Sequence, residues 1–179
     1  PDLTPKGVDV RADDMNVLAD DFLCASPSLL TEVWFWGSWN NDVRGKITSV
    51  HLSVHSDDPA GPGGSDDENP YSKPDDLLWQ GDFENPSQML YAVVADPGEF
   101  WWDPREGKLV AGADRQVWLV GVTIDPARAF LQKGTSEQPV IYWLDVSVKT
   151  EGGQFGWKTR QWPEHFQDDA VWDSGSELP

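Results

Sequence analysis

The chain has 179 residues, eleven of them tryptophan, and 31 acidic against 13 basic side chains, a formal charge of −18. That length most simply makes one domain spanning 1–179 with a sizeable core, and the aromatic load excludes a disordered chain. The acidic field repels phosphate backbones and anionic lipid, which argues against nucleic acid as a partner, and no apolar run reaches the 18 residues that membrane insertion by a helix needs.

In chain order, the first apolar run is "VLADDFLC" (17–24), which alternates as a strand but carries Asp20 and Asp21 in its middle. Strands are predicted next at "TEVWFWGS" (31–38) and "GKITSVHLSVHS" (45–56), both rich in β-branched and aromatic residues. A long acidic Gly/Pro-rich loop is expected over 56–76, where apolar residues almost vanish. Strands follow at 76–83 and 88–95. The segment "DPGEFWWDPREGK" (96–108) is bounded by Gly and Pro and predicts a loop carrying Phe100, Trp101 and Trp102. Further strands are predicted at 115–124, 139–148 and 154–162. One short helix is allowed over "DPARAFLQKG" (125–134), with Asp125 as N-cap, Pro126 in the first turn and Gly134 after the end. The sum is an all-β chain, an antiparallel jelly-roll-like β-sandwich with at most one short helix.

Several motifs together, "LADDFLC", "VWFWGSWNND", "LSVHSDDPA", "YSKPDDLLWQ", "VIYWLDV", "FGWKT" and "DDAVW", resemble an uncharacterised domain family of large secreted bacterial proteins. The resemblance covers nearly the whole chain. It implies an extracellular β-sandwich module at the cell surface, with neighbouring domains of a parent protein beside it, and it implies no particular activity. Any signal peptide is expected to have been removed or to lie upstream of Pro1.

Chemistry-bearing residues are few. Cys24 stands alone, so there is no internal disulfide and no cysteine metal site. His51 and His55 share a polar strand face opposite Val50, Leu52 and Val54. Four residues along a strand separate them by about 13 Å, too far to grip one metal together. A metal-dependent enzyme acting on polysaccharide would need one or more of His51, His55 and His165 joined by carboxylates from elsewhere. No nucleophile elbow and no phosphate loop is present.

Two features carry the functional expectation. Of six Asp-Asp pairs, 20–21 and 168–169 each precede an apolar strand segment. If the first and last strands adjoin, Asp20, Asp21, Asp168 and Asp169 could hold a structural Ca²⁺, a hard cation that takes six to eight oxygens; the plainer expectation is a hydrogen-bonded strand anchor. The tryptophans are the second. About half of those on strands must fill the core. In "VWFWGSW", Trp34 and Trp36 share one face and Val33 and Phe35 the other. The set Trp39, Trp101, Trp102 and Trp143 is the expected carbohydrate surface, where rings stack on sugars and nearby acids take hydroxyls. The function expected is a non-catalytic module binding a polysaccharide or cell-surface glycan. A structural or adhesive module without a small ligand is the alternative.

Overall fold

The structure is a computed structural model that describes residues 1–13, 16–61, 64, 70–160 and 170–173. Among the described residues fourteen strands follow one another: β1 (Val8–Arg11), β2 (Val17–Cys24), β3 (Ser28–Leu30), β4 (Glu32–Trp39), β5 (Lys46–Asp58), β6 (Lys73–Glu84), β7 (Ser87–Val93), β8 (Glu99–Asp103), β9 (Lys108–Asp114), β10 (Gln116–Thr123), β11 (Phe130–Gln132), β12 (Val140–Glu151), β13 (Phe155–Lys158) and β14 (Val171–Asp173). They form a seven-stranded sheet, β7-β10-β4-β13-β1-β8-β9, a five-stranded sheet, β14-β2-β12-β5-β6, and the small pair β11-β3.

The two large sheets pack as a sandwich. Val33, Phe35, Trp39, Val120, Val122 and Phe155 of the first meet Ile47, Val50, Leu52, Val146 and Val148 of the second in one buried cluster. Period two explains this layer: Val50, Leu52 and Val54 are fully buried, as their alternation with His51 and His55 predicts. Trp39 meets Phe155 edge-on at 5.3 Å, inside the same cluster.

The expectation of at most one short helix holds, and three features depart from the sequence expectations. No α-helix occurs among the described residues. At 125–134, Asp125 Oδ1 accepts from Ala127 N at 2.9 Å and its carbonyl from Arg128 N at 2.8 Å, which closes a turn. The chain then pairs Phe130 with Leu30 as β11, so tertiary pairing overrides the helix signal. The expected loop at 96–108 contains β8, held between β1 and β9. The expected loop at 56–76 is shorter, because β5 runs on to Asp58 and β6 begins at Lys73. The ladders are antiparallel with one exception: β1 and β8 run parallel, Asp9 opposite Trp101.

The seven-stranded sheet must curl. β9 closes one end of its order, yet a single residue, Arg115, joins it to β10, second from the other end. Asp42, just beyond β4, pins that junction by accepting from Arg115 N at 3.0 Å and Gln116 N at 2.8 Å. The face of β4, β13, β1, β8 and β9 opposite the sandwich core is therefore folded inward.

Candidate functional site

Inside that curl lies a buried charged cluster. Asp9 on β1 is opposite Lys158 on β13 and Trp101 on β8, and Glu99 on β8 is opposite Asp114 on β9. Alternation sends all five side chains to the same inward face. Asp9 and Glu99 are 0% exposed and Asp114 is 2% exposed. The Lys158 ammonium donates to Asp9 Oδ2 at 2.9 Å and to Glu99 Oε2 at 2.6 Å. Asp9 Oδ1, Glu99 Oε1, both oxygens of Asp114 and the buried Ser38 Oγ have no hydrogen-bond partner. One carboxylate oxygen from each of Asp9, Glu99 and Asp114 lies within 4.8 Å of the others. Trp101 closes the wall: its ring lies where a Cβ on Gly156 would stand, 2.8 Å from that position, and Asp9 Cβ is 3.1 Å from it.

Electrostatics follow from burial. Removal from water pushes Glu99 up to about 7, against the pull of Lys158. Burial, with the neighbouring charge of Asp9, pushes Asp114 up to about 8. Asp9 is raised by burial as well. Burial works to lower Lys158, but the charges of Asp9 and Glu99 outweigh it and hold the ammonium above its usual range. Next to the cluster, Arg11 binds Asp13 at 2.6 Å and Asp103 at 2.8 Å, an ordinary satisfied ion-pair network that holds Asp103 low.

On the exposed part of the seven-stranded sheet the same outer face carries aromatic residues. Trp34 and Trp36 project away from Val33 and Phe35, opposite Gly121 and Leu119 of β10. The Trp34 ring lies over Gly121, where a Cβ would sit 2.3 Å from Cζ3, so only glycine leaves it room. Trp34 is 47% exposed, Tyr91 49% and Met89 56%. Trp36 meets Tyr91 edge-on at 5.9 Å. The Trp34 indole donates weakly to Glu32 Oε2 at 3.4 Å. The rings run from β4 across the sheet to Tyr91 on the edge strand β7.

The expected sugar-binding tryptophans sit elsewhere. Trp39, Trp101 and Trp143 are 1%, 2% and 0% exposed. A ring must present a face to stack, so these three are interior packing residues, and Trp102 alone of the set is partly exposed. Trp143 is on the outer face of the five-stranded sheet but is covered, its indole donating to Asp57 Oδ1 at 2.8 Å.

Asp20 and Asp21 do diverge: Asp20 is exposed and accepts from Asp21 N at 3.1 Å, whereas Asp21 is buried opposite Trp143. The first apolar strand and the last described strand are neighbours, Val171 of β14 opposite Ala19 of β2. Asp168, Asp169 and His165 lie outside the described residues.

His51 and His55 have separate partners. His51 Nδ1 is 3.0 Å from Asp82 Oδ1. His55 Nδ1 donates to the Asp75 carbonyl at 2.9 Å, while its Nε2 is 3.3 Å from both Ser53 Oγ and Asp145 Oδ2. Serine and aspartate meet the same ring nitrogen, so this is not the relay of a hydrolase triad, in which they take opposite nitrogens. The bond to Asp145 raises the His55 pKa.

Sequence reasoning missed the acidic cluster. Its only trace is the alternation "VDVRAD", in which Asp9, Arg11 and Asp13 share one face. No helix among the described residues is long and apolar enough to cross a membrane. No curated protein and no solved structure is significantly similar to the chain. A family model matches residues 1–178, and the chain belongs to that family, the domain of unknown function DUF7901.

Proposed function

We propose that the domain is a non-catalytic, extracellular, polysaccharide-binding module of a larger secreted or cell-surface protein, and that its binding surface is the strip Trp34, Trp36 and Tyr91. The observation that carries this reading is Trp34, a large ring half exposed on a rigid strand and seated over a glycine. Exposed aromatic surface of this kind costs solubility and marks an interaction site. Rings flanked by acceptors such as Glu32 suit a sugar, whose apolar ring face stacks while its hydroxyls donate. The charge of −18 favours a neutral glycan over a polyanion.

A second reading, an adhesive module, rests on β7. This edge strand exposes Met89, Leu90, Tyr91 and Val93, and an open apolar edge invites strand pairing with another protein. Affinity electrophoresis in gels containing neutral polysaccharides separates the two. Under the first reading at least one gel retards the protein, and Trp34→Ala or Tyr91→Ala cancels the retardation while the melting temperature holds. Retardation unchanged by both substitutions overturns this strip as the glycan site, and none in any gel overturns the reading and leaves the adhesive one ahead.

A further inference from the structure

We propose that the cluster inside the curled sheet is a structural site for one hard divalent cation of the Ca²⁺ class, ligated by Asp9, Glu99 and Asp114 with Ser38 as a neutral fourth oxygen. Charge is the first argument. Three carboxylates share the interior with the single ammonium of Lys158, so full ionisation leaves two negative charges uncompensated away from water. A divalent ion brings that sum to zero.

Geometry is the second argument. Lys158 takes Asp9 Oδ2 and Glu99 Oε2, and the other carboxylate oxygens of the cluster have no donor. Two oxygens on one Ca²⁺ can be no further apart than twice the metal–oxygen distance, about 4.6–5.2 Å. One carboxylate oxygen from each of the three residues lies within 4.8 Å of the other two, which is compatible with that limit.

Ser38 is an independent observation. It is not part of the acidic pattern, it is 0% exposed, and its hydroxyl reaches the Asp9 carboxyl without a hydrogen bond of proper geometry. It stands opposite Gly156, whose missing side chain lets the Trp101 ring and Asp9 pack closely there. Gly7 does the same on the other flank: a Cβ there would lie 2.5 Å from Glu99 Oε1 and 2.8 Å from the Asp2 carbonyl. Backbone carbonyls are common Ca²⁺ ligands, and the Asp2 carbonyl is an oxygen on that flank. The donor set is oxygen alone, which selects a hard ion over zinc or copper.

The competing arrangement is a proton shared between the Asp9 and Asp114 carboxyls. The test uses the full chain stripped with EDTA and assayed at about pH 9, so that the buried carboxyls ionise and are available to a metal. Millimolar Ca²⁺ should raise the melting temperature progressively with concentration. Asp114→Asn should abolish that shift while leaving the EDTA form at least as stable, since it removes one buried charge. Ser38→Ala should raise the Ca²⁺ Kd by at least about tenfold, as losses around metal ligands do. Asp21→Asn should leave the shift intact. Tb³⁺ in place of Ca²⁺ should luminesce on tryptophan excitation, and Trp101→Phe should cut that signal and spare the melting shift. Identical melting curves in EDTA and Ca²⁺ overturn the site and leave the shared proton as the arrangement that stands. A shift that survives both Asp114→Asn and Ser38→Ala, or that Asp21→Asn abolishes, places the ion elsewhere and overturns it as well.

Discussion

Lys158→Met tests whether the interior of the curl is as dry as it is drawn. The ammonium is 0% exposed as a side chain and makes two charge-assisted bonds, at 2.9 and 2.6 Å, to carboxylates that are also 0% exposed. Methionine keeps the length and apolar stem but removes the only cation of the cluster. Three carboxylates then face one another with no counter-charge. Removing one partner of a buried pair costs about 3–5 kcal/mol, because the remaining charge is stranded. That is a large share of the roughly 5–15 kcal/mol that holds a domain folded. The assay is urea unfolding in EDTA, followed by the fluorescence of the eleven tryptophans. A double-mutant cycle with Glu99→Gln isolates the pair. Glu99→Gln removes one of the stranded charges, so the double variant should be more stable than the sum of the single losses implies, by about 1–3 kcal/mol. A Lys158→Met cost below about 1 kcal/mol, the value of a solvated surface pair, would refute the reasoning. So would additivity within about 0.5 kcal/mol, since distant independent sites behave that way.

Two further outcomes follow from particular contacts. Gly156→Ala places a Cβ 2.8 Å from the Trp101 ring and 3.1 Å from Asp9 Cβ, and should cost about 1–3 kcal/mol by overpacking in the same urea assay; a neutral result would mean that the Trp101 ring moves freely. His55 has a raised pKa in the fold through Asp145, so its stabilisation is complete below the ordinary histidine value of about 6.5 and is lost as pH rises through the folded value. Glu99 and Asp114, raised by burial, lose stability in the same direction, so the measurement is the difference between wild type and His55→Gln. Melting temperatures from about pH 6 to about pH 9 should converge as pH rises, and parallel curves would remove His55 from the account.

Strands with a sharp alternation were legible to within a few residues. β2 spans Val17–Cys24, and β4, β10 and β12 begin within a residue of their predicted starts. What escaped was held by partners distant in sequence. β8 is five residues long and lies between Pro97 and Pro104, which punctuate the chain like a loop. It is a strand because β1, some ninety positions earlier, pairs with it in parallel while β9 returns antiparallel beside it. Nothing local encodes that pairing. The helix signal at 125–134 failed for the same reason, since a short segment takes its conformation from whichever neighbour offers a ladder, here β3.

The tryptophans show how far alternation reaches. On β4, Trp39 has the parity of Val33 and Phe35, and parity alone places it in the core, where it lies. The same parity sends Trp34 and Trp36 outward, where they form the exposed strip. Parity sorts residues onto faces but does not say which faces are covered. Trp143 is on an outer face and is fully buried nonetheless. Ser38 shares the outward parity of Trp34 on the same strand, yet it is sealed because the sheet has begun to curl there. Asp9, Glu99, Asp114 and Lys158 belong to that sealed stretch. In sequence Lys158 falls in a predicted strand, Glu99 in a predicted loop, and Asp9 and Asp114 outside the predicted strands, and each is interior because β9 must return to β10 through one residue. The charged interior is thus a consequence of sheet closure, a property of the whole strand order that no window of sequence contains.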